Sequence, residues 1–544
     1  MCRDGRSTAL YRSGHAPGSA AEEAVAARLD DVRPTLGPAY AAALPGARAA
    51  VLTRLWRALA FEPLPWVVRR SVSGDAMTVL LAGGGRLRGP LPDPYASDAY
   101  VRELDLDSAV HTRASDLMAA LGAPNGAGFA AELDGSTASL ALSRAGQSRH
   151  RGPDRPAEVW EWEQRVVDGH PYHPNCRYRP GFSVAEELAY APEHRPVVTL
   201  GLRAVRADET LLAGAWPAAL RDGARILVPV HPWQAEHVPG LPGAAVGGAG
   251  FTAHPLMALR SLAPVAGGPL DGFAPAGAAP QLKTALSTRL TSSVRDISAY
   301  SIETAQAVSD FAGSLAARLD GRLHVTRTLG AVTSHSPDLA AVLREPPERY
   351  ADTGAGERVV PVGALAGTSW ARSPAWRAAF ARLALSVCLR VLDLGVALEA
   401  HGQNLLVVLS PAGEPLRLVY RDLADIRISP ARLAAHGIPA PPLAGRLVTD
   451  DETLLRRKLF GSLVTGALGA LAGSAGALAE DLAAAAPALE RTPDTVALLT
   501  GPLPAKALTL MRLSPQTPGD LWTTLGHPSG PGGVCRISAA SQHP

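Results

Sequence analysis

Three short stretches of this 544-residue chain combine residue types that bind anions or metal ions. The first runs Gly169-His170-Pro171-Tyr172-His173-Pro174-Asn175-Cys176-Arg177-Tyr178-Arg179-Pro180-Gly181-Phe182. A proline after each histidine pushes that histidine toward an extended conformation, so the segment is expected to be a rigid loop and not a helix. In extended chain Arg177 and Arg179 project to one side, a clamp for carboxylate or phosphate oxygens. The competing reading is a proline-locked structural turn with solvated arginines. No further ligand follows at a zinc spacing.

The second stretch is Leu282 to Arg295. Leu282, Thr284, Leu286, Thr288 and Leu290 share one parity and Lys283, Ser287, Arg289 and Thr291 the other, which predicts a strand with one basic polar face. Thr291, Ser292 and Ser293 are expected where this strand gives way to a helix running toward Ile302, Ala305 and Val308. Free N–H groups and Arg295, one turn on, would there meet an anion such as a phosphate. A strand with a solvated face before an N-capped helix is the plain alternative.

The third stretch is Glu399-Ala400-His401-Gly402-Gln403-Asn404 with Arg421-Asp422. Between them, Leu405–Leu409 and Leu416–Tyr420 flank Ser410-Pro411-Ala412-Gly413-Glu414-Pro415, a β-hairpin pattern that returns Asp422 beside Asn404. Two carboxylates and a carboxamide, Glu399, Asp422 and Asn404, suit Mg²⁺ held jointly with nucleotide phosphates. Alternatively, Glu399 and Asp422 pair with Arg421 or another nearby cation.

Elements must position these groups. Ala20 to about Phe61 carries helical spacing at Val25, Leu29 and Val32 but no chemical motif. The Arg144–Pro156 run of Arg, Gly, His and Pro marks a boundary, and the Gly/Pro/Ala-rich stretch Pro239–Pro280 predicts turns and a mobile loop. A helix is predicted over about Pro374–Leu398, and the uncharged Gly461–Ala479 reads as a closely packed buried helix rather than a membrane span. At this length two or three lobes with clefts between them are expected. The boundaries are placed at 1–155, 156–345 and 346–544.

The 52 basic and 50 acidic residues nearly cancel, so no general basic field would recruit nucleic acid or an anionic membrane. Cys2, Cys176, Cys388 and Cys535 lie far apart without a CxxC pair, which fits a reducing cytoplasm. Arg3, Asp4, Arg6 and Arg12 interrupt the N-terminus, against a signal peptide.

Taken together and in this order, the three stretches resemble the IucA/IucC family of siderophore synthetases. The resemblance spans roughly Glu158 to Leu513 and includes His231-Pro232-Trp233-Gln234, Lys506-Ala507-Leu508 and Arg512. It implies an α+β fold of three lobes, thumb, fingers and palm, with a helical N-terminal lobe and mixed α/β fingers and palm. It also implies a homodimer that adenylates a carboxylate, usually citrate or a related acid, with ATP and Mg²⁺, and passes the acyl group to an amine or alcohol. By the resemblance, Lys283, Thr291, Ser292 and Arg295 contact ATP phosphates and the carboxylate. His401 stands near the reacting carboxylate and α-phosphate, and His170 is the motif histidine of the fingers. Glu399, Gln403, Asn404 and Asp422 serve nucleotide and Mg²⁺. Arg260 keeps its place, whereas Ala258 stands where several relatives have Ser. The chemistry agrees, because a carboxylate becomes electrophilic once coupled to AMP and two anions must be screened by cations to meet. The rivals are a kinase-like phosphotransferase and an inert scaffold. Against the first, the Glu399–Asn404 stretch lacks the kinase base Asp, and Gly83-Gly84-Gly85 is only a superficial nucleotide loop. Against the second stands the intact set of Lys283, Arg295, His401 and Asp422.

Overall fold

A computed structural model describes residues 18–529 apart from 99, 148–155, 292 and 518. Cys2, Cys535, Ser292 and most of the proposed boundary at Arg144–Pro156 therefore lie outside the described residues. Arg144 itself belongs to the preceding helix, where its guanidinium pairs with Asp168.

Ser19 and Glu22 form a reciprocal capping box that starts the first helix, Ala20–Val32. The long helix Gly37–Phe61 follows, burying Val51, Leu52, Leu55, Trp56 and Leu59 completely. It packs on the helix Gly126–Gln147 and on a five-stranded antiparallel sheet between Val67 and His111. The predicted helices are present, but the opening lobe is not purely helical. Met77, Val79 and Leu87 on the sheet's inner face complete one continuous core with the helices. Alternation in strands this short was masked by Arg and Gly.

A nine-stranded antiparallel sheet carries the second core. From edge to edge it runs Leu211–Gly214, Thr328–Thr333, Ala340–Arg344, Gln281–Thr284, Ser261–Pro264, Ala244–Pro255, Val198–Arg206, Arg225–Val230 and Arg221–Asp222. The stretch Pro239–Pro280, predicted as turns, therefore holds two of these strands, Ala244–Pro255 and Ser261–Pro264, with turns before and between them and no strand from about Val265 on. Glycine explains the missed strand. A Cβ on Gly250 would lie 2.4 Å from the Leu200 carbonyl oxygen of the neighbouring strand, so the residue that looks like a breaker is what permits close pairing.

The third core surrounds the helix Pro374–Asp393 and the hairpin Leu405–Leu409/Pro415–Tyr420, in which Leu405 pairs with Tyr420 as the sequence predicts. With Leu323–Val325 and Arg358–Pro361 these strands make a four-stranded sheet. The apolar Gly461–Ala479 stretch is largely buried but is not one helix. The chain leaves the α-helix Glu452–Leu459 as a π-helical run, Phe460–Leu468, stops at Gly473 (φ 70°) and restarts behind the N-cap of Ser474. The two arms, Glu452–Ala472 and Ala475–Ala488, meet at 117°, and no single helix among the described residues is long and apolar enough to cross a membrane. Its small residues serve close approach: a Cβ on Gly461 would lie 2.5 Å from the Trp522 ring.

Candidate active site

All three sequence stretches border one cleft of about 1810 Å³. Lys283 enters from the strand Gln281–Thr284 of the large sheet, and Arg344 from the adjoining strand, where Lys283 pairs with Val342. Glu399, His401, Gln403 and Asn404 come from the loop before the hairpin, and Asp422 from its end. The Arg421 N–H donates to the Asn404 carbonyl at 3.0 Å, so the hairpin returns Asp422 beside Asn404 as its pattern requires.

The second stretch folds differently from expectation. Leu286–Leu290 and Ser293–Arg295 form a β-hairpin, and the next helix starts only at Ala299. No helix N-terminus therefore lies at Thr291–Ser293. The contact between Thr291 and Arg295 exists all the same, because the tight turn brings the Arg295 Nη2 to 2.8 Å from the Thr291 Oγ1. Thr291 lines the cleft with φ at 56°. Leu259 (66°), next to Arg260, and Asp422 (71°) also have left-handed backbones. Such conformations cost free energy in non-glycine residues and cluster where geometry is over-determined. Arg260 donates Nη1 to the carbonyls of Arg295 and, at 2.8 Å, Asp296, which fixes the hairpin's exit. Ala258 also lines the cleft, beside Met257, whose N–H is held by Glu163 at 2.9 Å.

The first stretch is a loop of turns, as predicted, and His170 lies in the cleft. The arginine clamp is corrected. Arg179 pairs with Glu193 at 2.6 Å and Glu187 at 3.3 Å, while Arg177 reaches Glu193 and the Val166 and Val167 carbonyls. Both guanidiniums are buried and spent on holding the loop to the Val184–Tyr190 helix and the turn after it. The turn at Asn175–Tyr178 interrupts the extended chain on which the clamp reading depended.

The electrostatics follow from burial and crowding. Burial and the neighbouring His401, Arg54 and Arg57 bring His170 down to about 3, and burial likewise lowers His401 against the pull of Glu399. Both rings are thus neutral at pH 7. Each accepts a backbone N–H at Nδ1, from Tyr172 for His170 and from Gln403 for His401, both at 3.2 Å. The proton therefore sits on Nε2, so each is a neutral hydrogen-bond donor. Burial lowers Lys283 to about 8, and burial with cationic neighbours lowers Arg260 and Arg344 to about 10. Asp422 balances them. Burial opposes its ionisation, yet Lys283 and Arg344 overcome that and hold the carboxyl far below the usual range.

The proposed metal triad is only partly assembled. Asp422 accepts from the Lys283 Nζ at 2.7 and 2.9 Å, and Glu399 Oε1 from Lys458 and Lys506, both at 3.2 Å. Asn404 Nδ2 donates to the Glu399 carbonyl at 3.3 Å. The paired-carboxylate alternative therefore describes what is present, with lysines as the partners. Arg421 instead pairs with Glu163 at 2.7 Å. The oxygen donor set still fits Mg²⁺, provided phosphates replace the carboxylates as lysine partners. Among the described residues, the group of acidic and histidine side chains already close enough to share an ion is Glu186, Glu236 and His237, which does not border the cleft.

Sequence reasoning missed Arg344, Lys458 and Glu163. Arg344 ends an apolar strand with no motif around it, and Lys458 follows Arg456 and Arg457 in what reads as a solvated basic helix face. Only the fold shows Lys458 to be buried.

With this geometry in view, the relatives are informative. Residues 158–367 match the profile of the IucA / IucC family, and residues 374–516 match that of the ferric iron reductase FhuF-like transporter. Over residues 158–367 the chain is thus similar to the IucA / IucC family. A Staphylococcus aureus 2-[(L-alanin-3-ylcarbamoyl)methyl]-3-(2-aminoethylcarbamoyl)-2-hydroxypropanoate synthase is 25% identical over 388 residues, 57% of this chain and 61% of that one. A Bacillus anthracis citryl-spermidine/3,4-dihydroxybenzoyl-citryl-spermidine:spermidine ligase is 24% identical over 322 residues, 49% of this chain and 51% of that one. The chain thus spans from half to about three fifths of the length of these curated relatives. In structure, the petrobactin biosynthesis protein AsbB of Bacillus anthracis matches with a TM-score of 0.71 at 17% identity, covering 91% of this chain and 98% of AsbB. ATP-bound aerobactin synthetase IucA of Klebsiella pneumoniae matches at 0.61 and 18% identity, covering 89% and 99%. The mixed α and β architecture of this chain is that of these synthetases.

Proposed function

We propose that this protein is an ATP-dependent ligase that condenses a carboxylic acid, citrate or a citrate-like dicarboxylate, with an amine or alcohol through an acyl-adenylate. It would act in siderophore assembly as a cytoplasmic homodimer of three lobes, 1–155, 156–345 and 346–544. The carrying observation is the convergence of Lys283, Arg260, Arg344 and Arg295 on one cleft wall with the neutral His170 and His401 in the same cleft. That charge pattern suits two anions brought together in one site. The printed activities of the synthase and ligase relatives and the ATP bound to IucA support the reading.

In this mechanism Lys283, Arg260 and Arg344 receive the β- and γ-phosphates, with Thr291 beside them. Gln403 and Asn404 contact the nucleotide. Arg295 meets both the α-phosphate and the acid, so that repulsion between them falls as the carboxylate oxygen attacks phosphorus and pyrophosphate departs. His401 and His170 donate Nε2–H bonds to oxygens that gain charge and, being neutral, are not proton acceptors of consequence at pH 7. The amine or alcohol then attacks the acyl carbon, AMP leaves with the bonding pair, and the nucleophile's proton passes to water in the open cleft. Glu399, Asn404 and Asp422 would hold Mg²⁺, which when bound supplies charge neutralisation on the phosphates.

The test is the nucleotide product. With citrate, hydroxylamine and Mg²⁺, the expected outcome is acid-dependent AMP and pyrophosphate together with a hydroxamate. Stoichiometric ADP with a phosphorylated acceptor would establish the phosphotransferase instead, and no turnover with any acid on a panel would leave the inert scaffold.

A further inference from the structure

The opening lobe contributes no motif in the sequence, yet one of its carboxylates stands where three site-bearing segments meet. Glu132, on the helix Gly126–Gln147, accepts Arg512 through Nε at 2.9 Å and through a second, shorter Nη2 contact, which makes a bidentate pair. It also accepts the Asn175 Nδ2 at 2.7 Å. Asn175 belongs to the loop that carries His170. Arg512 lies six residues beyond Lys506, and its remaining Nη1 donates to the Thr291 carbonyl at 3.3 Å. Thr291 in turn holds Arg295 through its hydroxyl at 2.8 Å. Neither Glu132 nor Arg512 borders the cleft, and the Arg512 side chain is only 7% exposed.

The chain of contacts is therefore Asn175–Glu132–Arg512–Thr291–Arg295, and it ties together loop, C-terminal segment and hairpin behind the cleft wall. The Ser136 hydroxyl, one helical turn from Glu132, donates to the Pro174 carbonyl at 3.1 Å and accepts the Arg177 N–H at 3.3 Å. Asn125, just before the helix, donates to the Leu513 carbonyl at 2.8 Å. One helix thus serves as a rail for both the His170 loop and the segment bearing Lys506. A guanidinium fixed on one side by a bidentate carboxylate has a set plane, so its third edge meets Thr291 in one direction only. The Thr291 backbone is left-handed and has no helix to fix it, so outside contacts must hold that conformation.

From this geometry we infer that Glu132 is a positioning residue: through Arg512 it sets the hairpin turn that aims Arg295 at the reacting groups. The inference rests on the function proposed above, although its structural half is testable without it. In Glu132→Gln the side chain keeps its size but loses the charge and one acceptor. Arg512→Lys keeps the charge but loses the fork.

Both variants are expected to lower kcat for acid-dependent AMP formation about tenfold, while the dissociation constant for ATP changes less than about threefold. The double variant should be no worse than either single one, because both break the same connection. Amide hydrogen exchange supplies the readout independent of turnover. Residues 286–295 should exchange faster in both variants, with the large sheet unchanged. Full turnover in either folded variant overturns the inference, as does lost turnover with unaltered exchange over 286–295. If the wild-type protein makes no AMP with any acid, the proposed function fails, and the exchange measurement alone still decides whether Glu132 holds the hairpin. Should Glu132→Gln not fold, Arg512→Lys carries both measurements.

Discussion

Replacing Asp422 with Asn would separate a metal-and-phosphate role from a merely structural ion pair. Wild-type Lys283 is lowered to about 8 by burial, with Asp422 the largest influence in the other direction. A lysine must be protonated to hold phosphate, so kcat/KM for ATP is expected to fall as pH rises through about 8. Removing one partner of a buried pair costs roughly 3–5 kcal/mol. The 30% exposure of the Asp422 side chain argues for the lower end of that range. At about 1.4 kcal/mol per unit, a loss of about 3 kcal/mol moves the falling limb down by about two pH units, to about 6. The free-enzyme profile is the right assay, because bound nucleotide would restore a counter-charge. The Mg²⁺ concentration for half-maximal rate should rise about tenfold or more at fixed pH if Asp422 is one of two carboxylate ligands, as proposed. An unshifted limb with unchanged Mg²⁺ dependence would refute the reasoning. Lost thermal stability alone would leave Asp422 as a strut.

Other substitutions probe separate parts of the argument. Arg295→Ala should fold and lose about 2–4 kcal/mol of transition-state stabilisation in kcat/KM for the acid, and near wild-type turnover would remove Arg295 from the site. Arg179→Met should instead reduce stability in denaturant by roughly 3–5 kcal/mol, because it strips a partner from buried Glu193 and Glu187, and unchanged stability with weakened acid binding would restore the clamp reading. Burial raises Glu193, but Arg177 and Arg179 overcome it and hold the carboxyl well below the usual carboxylate range. Its stabilising contribution is therefore complete above the unfolded-state value of about 4.3 and is lost as pH falls toward the depressed native value, so Arg179→Met should flatten the acid limb of a stability–pH curve.

The hairpin and the His170 loop were legible because local rules decide them: alternating apolar runs around a Gly/Pro turn, and prolines that exclude helix. Thr291–Arg295 misled for a local reason too. Ser and Thr before an apolar pattern signal an N-cap, but Val294 pairs back onto Arg289, and tertiary pairing won over propensity. Arg177 and Arg179 show what a single sequence withholds, since their partners Glu187 and Glu193 are ordinary acidic residues until the loop folds against them. The roles of Arg344 and Lys458 depend on long-range topology, with Lys458 meeting Glu399 across 59 positions of chain.

The Lys283–Asp422 pair joins a strand of the nine-stranded sheet to the end of the hairpin across the cleft. Without nucleotide the protein thus supplies its own surrogate anion, tethered beside the ammonium at an effective concentration that a free small ion does not match. Chloride, inorganic phosphate or a lone carboxylate gains little by displacing it. On the proposed function, a polyphosphate would repay the exchange by engaging Arg260, Arg344 and Lys283 together. The carboxylate would in this sense be a built-in competitor that filters anions by valence before any chemistry begins.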